Sequence, residues 1–387
     1  MLNFGIPTKN GVSLYKLLKA KSITMWSDYQ YIKINNKEVI LHPLDKDSLL
    51  LALGQVDGAD DIVAFFEQWV SLNDFVEIKT SGSTGTPKVI RAKKEFMVQS
   101  ALQTNSFFQL DNQSTALLCL SANYIAGQMM IVRAIVAQMN LIVVSPKGNI
   151  TQNLSCNIDF AAMVPNQVLN CLKTPQYLNK IKTLIIGGGK VDIRLVEKLH
   201  NLSTNCYETF GMTETLSHIA LKQLSVSDTP FITLGGVTVA QSGRGTLVVN
   251  YPALGICAME TNDIVDVVSC NSFVWKGRTD FVINSGGIKI SPEEIEMQIG
   301  KILPNMHFCI SSLPDEKLGN KLVMVVETST VNESELLQIL KTELKPYYVP
   351  KAIVGIDVLP TNCNGKLDRL AVKDWLIKSK IRTGQTI

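Results

Sequence analysis

The sequence predicts an α/β protein: a large N-terminal domain of helix-covered, mostly parallel sheets with a small β subdomain, followed by a small α+β C-terminal domain. Three observations carry this prediction. Strand-like and helix-like runs alternate between residues 75 and 202, short strands split by Gly, Ser and Asn begin near residue 230, and the pattern shifts again near residue 280. Such alternation is typical of parallel sheets covered by helices. We therefore expect domains at 1–279 and 280–387, with the β subdomain at about 230–279.

The elements of the large domain follow from the spacing of apolar residues. A helix is predicted around ADDIVAFFEQWVSL, followed by a strand in DFVEIKT and by a strand and helix in VIRAKKEFMVQSALQTNSFFQL. The next predicted strands are TALLCL, NLIVVS, IDFAAMV and KTLIIGG. The predicted helices between and after them are IAGQMMIVRAIVAQ, NQVLNCLKT and DIRLVEKLHNL, the last capped by Asp192. In the C-terminal domain we expect helices in PEEIEMQIGKIL and ESELLQILKTEL and strands in MHFCISSLP, KLVMVVET and AIVGIDVLP.

Composition excludes several classes of protein. Of the 387 residues, 46% are hydrophobic and 18% charged, which is enough apolar material for a substantial core. The net charge is only +3 with basic and acidic residues interspersed, so no nucleic-acid partner is expected. Eight cysteines without a C-x-x-C pair predict scattered buried thiols rather than disulfides or a zinc site.

The most apolar stretch is ALLCLSANYIAGQMMIVRAIVAQMNLIVV. Five polar residues interrupt it, so we interpret it as strand, buried helix and strand rather than a membrane span. They are Asn123, Gln128, Arg133, Gln138 and Asn140. The first residues lack the layout of a signal peptide. A cytoplasmic protein without a membrane partner is therefore expected.

The segment TSGSTGTPK is the first candidate site. Seven of its nine residues are glycines or hydroxyl residues, and backbone N–H groups at such a loop can surround an anion. It is not a Walker A loop, because Pro87 precedes the lysine and Val89 follows it. A flexible linker is the alternative interpretation. The candidate phosphate-binding residues are Thr80, Ser81, Gly82, Ser83, Thr84, Gly85 and Lys88.

Two further segments are candidate sites. In YETFGMTETLSHIAL, Thr213 and Glu214 suggest a tight turn whose carboxylate could ligate Mg²⁺ together with substrate phosphates, although a helix start capped by Thr213 fits equally. In IIGGGK, Gly187 and Gly188 follow a strand, where ligands bind in open α/β sheets, although a tight turn explains them as well.

Two more candidates lie towards the C-terminus. Asp263 in TNDIVDV and Arg278 in WKGRTDF could hold the two ribose hydroxyls of a nucleotide, with a surface ion pair as the alternative. Lys366 lies on a glycine-supported turn in LPTNCNGKLDR, where a lone lysine is ordinarily a solvated charge.

These motifs, in this order, resemble the adenylate-forming superfamily of acyl-CoA ligases, firefly luciferases and non-ribosomal adenylation domains. The resemblance extends from about residue 75 to 375. It implies a two-step reaction, in which a carboxylate attacks the α-phosphorus of ATP to give an acyl-adenylate and pyrophosphate, and a thiol then displaces AMP. Mg²⁺, ATP, a carboxylic acid and coenzyme A are the implied cofactor and partners; a homo-oligomer stays open.

The resemblance also implies roles for individual residues. Thr80 to Lys88 would hold the β- and γ-phosphates, Thr213 the α-phosphate and Glu214 the Mg²⁺. Phe210, beside Gly211, occupies the place of an adenine-stacking tyrosine. Asp263 and Arg278 would bind the ribose, and Lys366 would stabilise charge during adenylation. The small domain would rotate about Asp280 and bring INSGGIKI, with Gly286, Gly287 and Lys289, to the thiol. The early position of the phosphate loop predicts a shortened N-terminal portion.

Among such ligases, the segments LSANYIAGQMMIVRA and MTETLSHIAL make the chain look most like o-succinylbenzoate–CoA ligases of menaquinone synthesis. The second carboxylate of that acid would need a cation or several donors beside an apolar floor. The candidates are Ser121, Asn123, Arg133, Lys190 and His218, for which helix pairing and a satisfied core histidine are the alternatives. Another acyl- or aryl-CoA ligase, a carrier-loading enzyme and a catalytically silent nucleotide-binding protein are the rival functions.

Overall fold

The computed structural model describes most of the chain, namely residues 26–79, 89–147, 150, 154–189, 191, 193–224, 229–361 and 367–383. Strands and helices alternate through its first half, and two small sheets with their own helices follow in the last third, which confirms the predicted α/β class. Within these residues no helix has both the length and the apolarity to cross a membrane.

Twenty strands are numbered here in chain order. They are β1 (Tyr31–Ile34), β2 (Lys37–Ile40), β3 (Phe75–Lys79), β4 (Val89–Lys93), β5 (Thr115–Leu118), β6 (Asn140–Val143), β7 (Ile158–Met163), β8 (Ile181–Ile186), β9 (Asn205–Gly211), β10 (His218–Gln223), β11 (Phe231–Thr233), β12 (Thr238–Gln241), β13 (Thr246–Tyr251), β14 (Ile256–Ser269), β15 (Ser272–Arg278), β16 (Ile283–Ser285), β17 (Ile288–Ile290), β18 (Phe308–Asp315), β19 (Gly319–Glu327) and β20 (Ala352–Ile356).

The α-helices of the described residues are numbered in the same way. They are α1 (Lys46–Leu53), α2 (Ala59–Val70), α3 (Lys94–Phe108), α4 (Ile125–Ala137), α5 (Pro165–Cys171), α6 (Pro175–Leu178), α7 (Ile193–Leu199), α8 (Pro292–Ile302), α9 (Glu333–Glu343) and α10 (Arg369–Thr383).

One sheet of 13 strands organises residues 31–278, in the order β12-β13-β14-β15-β11-β10-β9-β8-β7-β5-β6-β1-β2. Strands β5 to β8 run parallel to both neighbours, β1 is parallel to β6 and β9 to β8, and their Val, Ile, Leu and Ala side chains are mostly buried, as expected for strands covered on both faces. From β9 onwards neighbouring strands pair antiparallel. The strands of the predicted β subdomain therefore continue the parallel sheet, whereas β3 and β4 form a separate antiparallel ribbon.

Helix α4 lies in the centre of the large core. All residues from Gly127 to Ile135 are buried, because a helix that is apolar on every side must be covered on every side. The polar Gln128 and Arg133 are buried with it. The stretch that looked most apolar in sequence is thus a strand, a core helix and a strand, as predicted.

The last hundred residues form their own cores around the sheet β18-β19-β20. Alternate residues of β19 point to opposite faces: Met324 lies in a cluster with α8 and α9, and Val325 in a cluster with α10. These clusters contain only residues beyond position 282, which supports the proposed boundary near residue 280.

The cysteines follow the prediction only in part. Cys119, Cys171, Cys206 and Cys309 are buried thiols, but Cys257 and Cys270 are exposed, because they lie on β14 near its start and in the β14–β15 turn.

Candidate active site

Two adjacent parallel strands, β8 and β9, bring the glycine run and the Thr213 segment to the same edge of the sheet. Gly187 follows β8 directly, and the Thr209 hydroxyl of β9 donates to the carbonyl of Ile186 at 3.3 Å. A Cβ at Gly187 would stand 2.3 Å from the Thr209 hydroxyl oxygen, and Gly188 has φ of +76°. Gly187 is therefore required by the close approach of the two strands, and Gly188 by its left-handed backbone conformation.

The Thr213 segment forms a single 3-10 turn, Thr213–Thr215, rather than the start of a longer helix. The Thr215 hydroxyl accepts from the Met212 N–H at 3.1 Å and lies 2.8 Å from the Ser217 carbonyl oxygen, so one side chain closes the turn at both ends. A Cβ at Gly211 would stand 2.4 Å from that same oxygen. The tight turn predicted from the sequence is present.

Glu214 stands exposed on this turn, and its carboxylate has no hydrogen bond or ion pair with any described residue. A free carboxylate beside half-buried Thr213 suits Mg²⁺, which is usually bound by one or two carboxylates while substrate phosphates and waters complete the octahedron. Glu214 therefore fits the metal that the sequence implies.

Phe210 joins the turn to the antiparallel half of the sheet. Its ring centroid lies 5.0 Å from that of Phe273 on β15 and 5.8 Å from that of Phe231 on β11. The ring is only half-buried, so part of its face is left for a flat ligand.

The candidate ribose residues are cross-strand neighbours at the end of the β14–β15 pair. Asp263 is buried, its Oδ1 accepts from Trp275 Nε1 at 2.9 Å, and its Oδ2 lies 3.8 Å from Arg278 Nη1. Burial raises the pKa of Asp263, although the carboxyl is hydrogen-bonded and faces a cation. Asp263 and Arg278 thus form an ion pair whose carboxylate is buried and whose cation is partly exposed, and ribose binding by the two residues stays a prediction.

Arg278 also reaches the predicted hinge residue. Its Nη2 lies 2.6 Å from Asp280 Oδ2, and Asn262 donates to Asp280 Oδ1 at 3.1 Å. The structure thus brings Asp263, Arg278 and Asp280 together, with Arg278 hydrogen-bonded to Asp280 and within ion-pair distance of Asp263.

The C-terminal lysine candidate belongs to a loop whose two ends are fastened. Thr361 and Leu367 form an antiparallel bridge, and the Asp368 N–H donates to the Pro360 carbonyl at 2.9 Å. Lys366 itself lies outside the described residues, as do Thr80 to Lys88, Lys190 and Asp192.

Arg369 anchors the chain just after this loop. Its guanidinium contacts both oxygens of Glu296, at 2.8 and 2.6 Å, and its Nε lies 3.4 Å from Glu293 Oε1. Burial disfavours the charge, but Glu296 and Glu293 outweigh burial and raise the pKa of Arg369 above its ordinary value.

A short series of contacts runs from Glu293, beside Arg369, back to the large sheet. Ser291 Oγ lies 3.0 Å from Glu293 Oε2 and donates to the Lys276 carbonyl of β15 at 2.9 Å. The next residue, Gly277, has φ of +148°, and a Cβ there would stand 2.0 Å from Ser291 Oγ. The two parts of the chain touch most closely here.

The glycine hairpin predicted for the thiol route is the turn between β16 and β17. Gly286 and Gly287 have φ of +59° and +83°, both are exposed, and a Cβ at Gly287 would meet nothing within 4 Å. Lys289 is exposed on β17. Among the described residues no hydrogen bond joins this hairpin to the Thr213 turn.

The acid-binding candidates fall into two groups. Ser121 and Asn123 lie on the loop between β5 and α4, beside a cavity of about 210 Å³ that Ser121 and Lys147 help to line. Arg133 and His218 lie in the core, 2% and 7% exposed, with the Arg133 Nη2 atom 3.5 Å from His218 Nδ1. The structure therefore brings Arg133 and His218 together and places Ser121 and Asn123 apart from them.

Four residues with evident roles in this geometry did not emerge from the sequence. They are Glu208, whose carboxylate accepts from the Val191 N–H at 3.1 Å, Ser217, Trp275 and Arg369. All four lie within four residues of predicted site residues, so proximity to a motif was the available signal. The contact of Trp275 with Asp263 was not visible, because the two residues are 12 positions apart on opposite strands.

Comparison with known proteins places the chain among nucleotide-dependent ligases. Residues 54–241 match the family model described as AMP-binding enzyme. The 2-succinylbenzoate–CoA ligase of Listeria monocytogenes is 25% identical over 375 residues, covering 89% of this chain and 80% of that protein. An acyl-CoA synthetase (AMP-forming)/AMP-acid ligase II-like protein from Dyadobacter fermentans is 30% identical with a TM-score of 0.56, covering 82% of this chain and 94% of that one.

The fold extends to more distant enzymes. The o-succinylbenzoate coenzyme A synthetase of Bacillus subtilis, solved in complex with ATP and magnesium ion, is 20% identical with a TM-score of 0.65, covering 76% of this chain and 68% of that one.

Proposed function

The chain belongs to the AMP-binding family of adenylate-forming acid–thiol ligases, and from this premise we propose that it converts 2-succinylbenzoate to its coenzyme A thioester. The acid follows from the name of the Listeria relative and from the sequence motifs after β5 and β9. In the first step a carboxylate oxygen attacks the α-phosphorus of ATP and pyrophosphate leaves. In the second, a thiol sulfur attacks the acyl carbon, AMP leaves with the bonding electrons, and the thiol proton passes to solvent.

One observation supports the nucleotide site above the others. Phe210 on β9 touches Phe273 on β15, the strand that ends at Arg278. An aromatic face, a ribose-binding carboxylate–cation pair and the Thr213 turn therefore lie on one continuous sheet. We propose that adenine stacks on Phe210, that Asp263 and Arg278 bind the ribose, and that Thr213 contacts the α-phosphate.

Glu214 would hold Mg²⁺, which would neutralise charge on the phosphates during adenylation. The remaining contacts come from the chain itself. Thr80 to Lys88 would bind the outer phosphates, and Lys366 would stabilise the negative charge that develops as the carboxylate attacks. The bridge at Thr361 and the half-buried Arg369 support the ends of that lysine's loop.

The acid site is proposed beside the accessible loop residues Ser121 and Asn123, together with Lys190. Arg133 and His218 are buried beneath Ser217, and no described contact joins them to Ser121 or Asn123, so we do not place them in direct contact with the acid. For the second step, Asp280 would be the hinge of the C-terminal domain, and the hairpin of Gly286, Gly287 and Lys289 would line the thiol's route.

Exchange of radiolabelled pyrophosphate into ATP, measured across a panel of carboxylic acids, tests the proposal directly. We expect exchange with 2-succinylbenzoate and, on adding coenzyme A, a thioester detected by mass spectrometry. Exchange with a different acid would replace the substrate, thioester formation only with a carrier protein would replace the acceptor, and absence of exchange with every acid would overturn the ligase proposal.

The two half-reactions also separate the two proposed sites. Lys366→Ala should lower the rate of pyrophosphate exchange while thioester formation from preformed acyl-adenylate is largely kept. Gly287→Leu should do the opposite, because its side chain would enter the thiol's route. Equal losses in both half-reactions would contradict the assignment of either residue.

A further inference from the structure

We propose that Arg133 is a positioning residue for adenylation: from within the core it holds Ser217, and through Ser217 it fixes the turn that presents Thr213 and Glu214 to the nucleotide. The inference rests on the proposed function of that turn. In this proposal Arg133 acts through Ser217 rather than by its own contact with the nucleotide.

The charge of Arg133 is not neutralised within the described part of the chain. Its guanidinium is 2% exposed, no carboxylate lies within ion-pair distance, and Nε has no hydrogen-bond partner. A guanidinium stays protonated in proteins, and a buried charge without a counterion is costly. Such a residue lowers the unfolding free energy, so its presence in a core helix needs an explanation other than stability.

The contacts that Arg133 does make lead towards the turn. Nη2 donates to Ser217 Oγ at 2.5 Å, across 84 residues of sequence, and Nη1 reaches Met130 Sδ at 3.5 Å. A hydrogen bond from a charged donor is stronger and shorter than one between neutral groups. Ser217 is therefore held by the strongest donor available in the core.

The surrounding network has a defined direction. Ser217 Oγ accepts from Arg133, so its own proton can go to His218 Nδ1 at 3.3 Å, and His218 Nε2–H then donates to Thr104 Oγ1 at 3.3 Å. The Thr104 hydroxyl donates in turn to the Ser100 carbonyl. This arrangement needs a neutral His218, which its buried position beside Arg133 favours. Side chains of α3 and α4 thus hold the start of β10 in place through these hydrogen bonds.

The turn depends on these hydrogen bonds, because its backbone is strained. Leu216 has φ of +62°, a region that a branched, bulky side chain rarely adopts. Strained backbone persists only where its surroundings hold it. Leu216 lies between Glu214 and Ser217, so releasing Ser217 would let the turn relax and move Thr213 and Glu214 away from the phosphates.

The matched control is Lys94, a second fully buried cation of the large core. It donates to the Ser71 carbonyl at 2.8 Å and lies over the Trp26 ring at 3.9 Å, with no contact to the Thr213 turn. Lys94→Met removes a buried cation from a neighbouring helix without touching Ser217. Any effect specific to positioning should therefore be absent from it.

The experiment compares Arg133→Met, Arg133→Lys, Ser217→Ala and Lys94→Met in the full-length protein. We expect Arg133→Met to lower kcat for pyrophosphate exchange on the order of 10- to 100-fold, the value of one charge-assisted hydrogen bond. Thioester formation from preformed acyl-adenylate should lose less, because the adenylate keeps the α-phosphate that Thr213 would contact but lacks the outer phosphates and the metal that Glu214 would hold. Arg133→Lys should recover part of the exchange rate, since it keeps a charged donor.

Calorimetric titration with ATP and Mg²⁺, without the acid, gives a readout independent of turnover. Weaker binding is expected for Arg133→Met and Ser217→Ala and not for Lys94→Met. Because both act through one hydrogen bond, the double variant should lose no more than either single one.

Wild-type exchange rates in both Arg133→Met and Ser217→Ala would overturn the proposal, and so would equal losses in the two half-reactions. If Arg133→Met fails to fold, Ser217→Ala alone decides, since Ser217 is only partly buried. Absence of exchange in the wild-type protein would instead contradict the proposed function, so the two failures are distinguishable.

Discussion

A buried arginine and a half-buried one occupy opposite situations in this molecule. Arg369, at the start of α10, is enclosed by the carboxylates of Glu296 and Glu293, whereas Arg133, inside α4, faces a serine and a histidine and no carboxylate among the described residues. Burial lowers the pKa of Arg133 to about 9, while the two glutamates raise that of Arg369. Both remain protonated at neutral pH, but only Arg369 is neutralised by its own domain.

The difference separates a residue that stabilises the fold, Arg369, from a residue that positions its neighbours, Arg133. A paired charge is satisfied by the fold and contributes to it; an unpaired charge is tolerated by the fold and is retained for what it does to its neighbours. Stability and activity should therefore respond in opposite ways when each arginine is removed.

The largest effect is expected from Arg369→Met. It leaves two buried carboxylates without a cation, so the unfolding free energy should fall by about 3 kcal/mol or more. Urea unfolding measures it. The exposed Arg91–Glu77 pair is the control, because Arg91→Met removes a surface ion pair worth at most about 1 kcal/mol. Equal losses in the two variants would remove the distinction between the buried and the exposed pair.

A pH titration of stability should show the next largest effect. Burial and then the Arg133 charge lower the pKa of His218 well below its ordinary value. Below about pH 6.5, His218 binds a proton in the unfolded chain but not in the folded protein. The unfolding free energy should therefore fall as pH falls, by up to about 1.4 kcal/mol per pH unit. His218→Gln should flatten this part of the curve.

The two pH curves are measured by urea unfolding at fixed ionic strength. Curves that run parallel below pH 6.5 would mean that His218 is protonated in the folded protein. That result would also remove the directional network proposed for Ser217.

The smallest effect on stability is expected from Arg133→Met. An unpaired buried cation replaced by an apolar side chain of similar length should leave the unfolding free energy within about 1 kcal/mol of wild type, or raise it. Urea unfolding, run beside the Arg369→Met measurement, checks this. A loss of unfolding free energy as large as that of Arg369→Met would mean that both arginines stabilise the fold.

Much of the fold was accessible from sequence because the parallel strands and α4 are continuous apolar runs. Strands β1 and β2 were missed, although alternation in YIKINNKEVI and two asparagines at φ of +49° and +65° make a recognisable hairpin. Helix α10 was missed for a physical reason: among its described side chains only Val372 and Leu376 are buried, one turn apart, which is too short a pattern to recognise.

The candidate site divided along similar lines. Thr213, Glu214, Asp263 and Arg278 could be predicted because each belongs to a short local motif. Arg133 was included as a candidate for the acid, since its helix showed only that a cation was present. That it lies against Ser217 depends on how α4 packs under β10, a contact across 84 positions that no local pattern contains.

The contact between Gly277 and Ser291 has a consequence for the conformational equilibrium between the two parts of the chain. The interface at this point consists of one hydroxyl, one carbonyl and a missing side chain, so little free energy is released when it forms and little is needed to part it. A methyl group at 277 would overlap the serine and act as a wedge, shifting the equilibrium away from the arrangement described here. Position 277 therefore offers an experimental handle for trapping the enzyme between its two half-reactions.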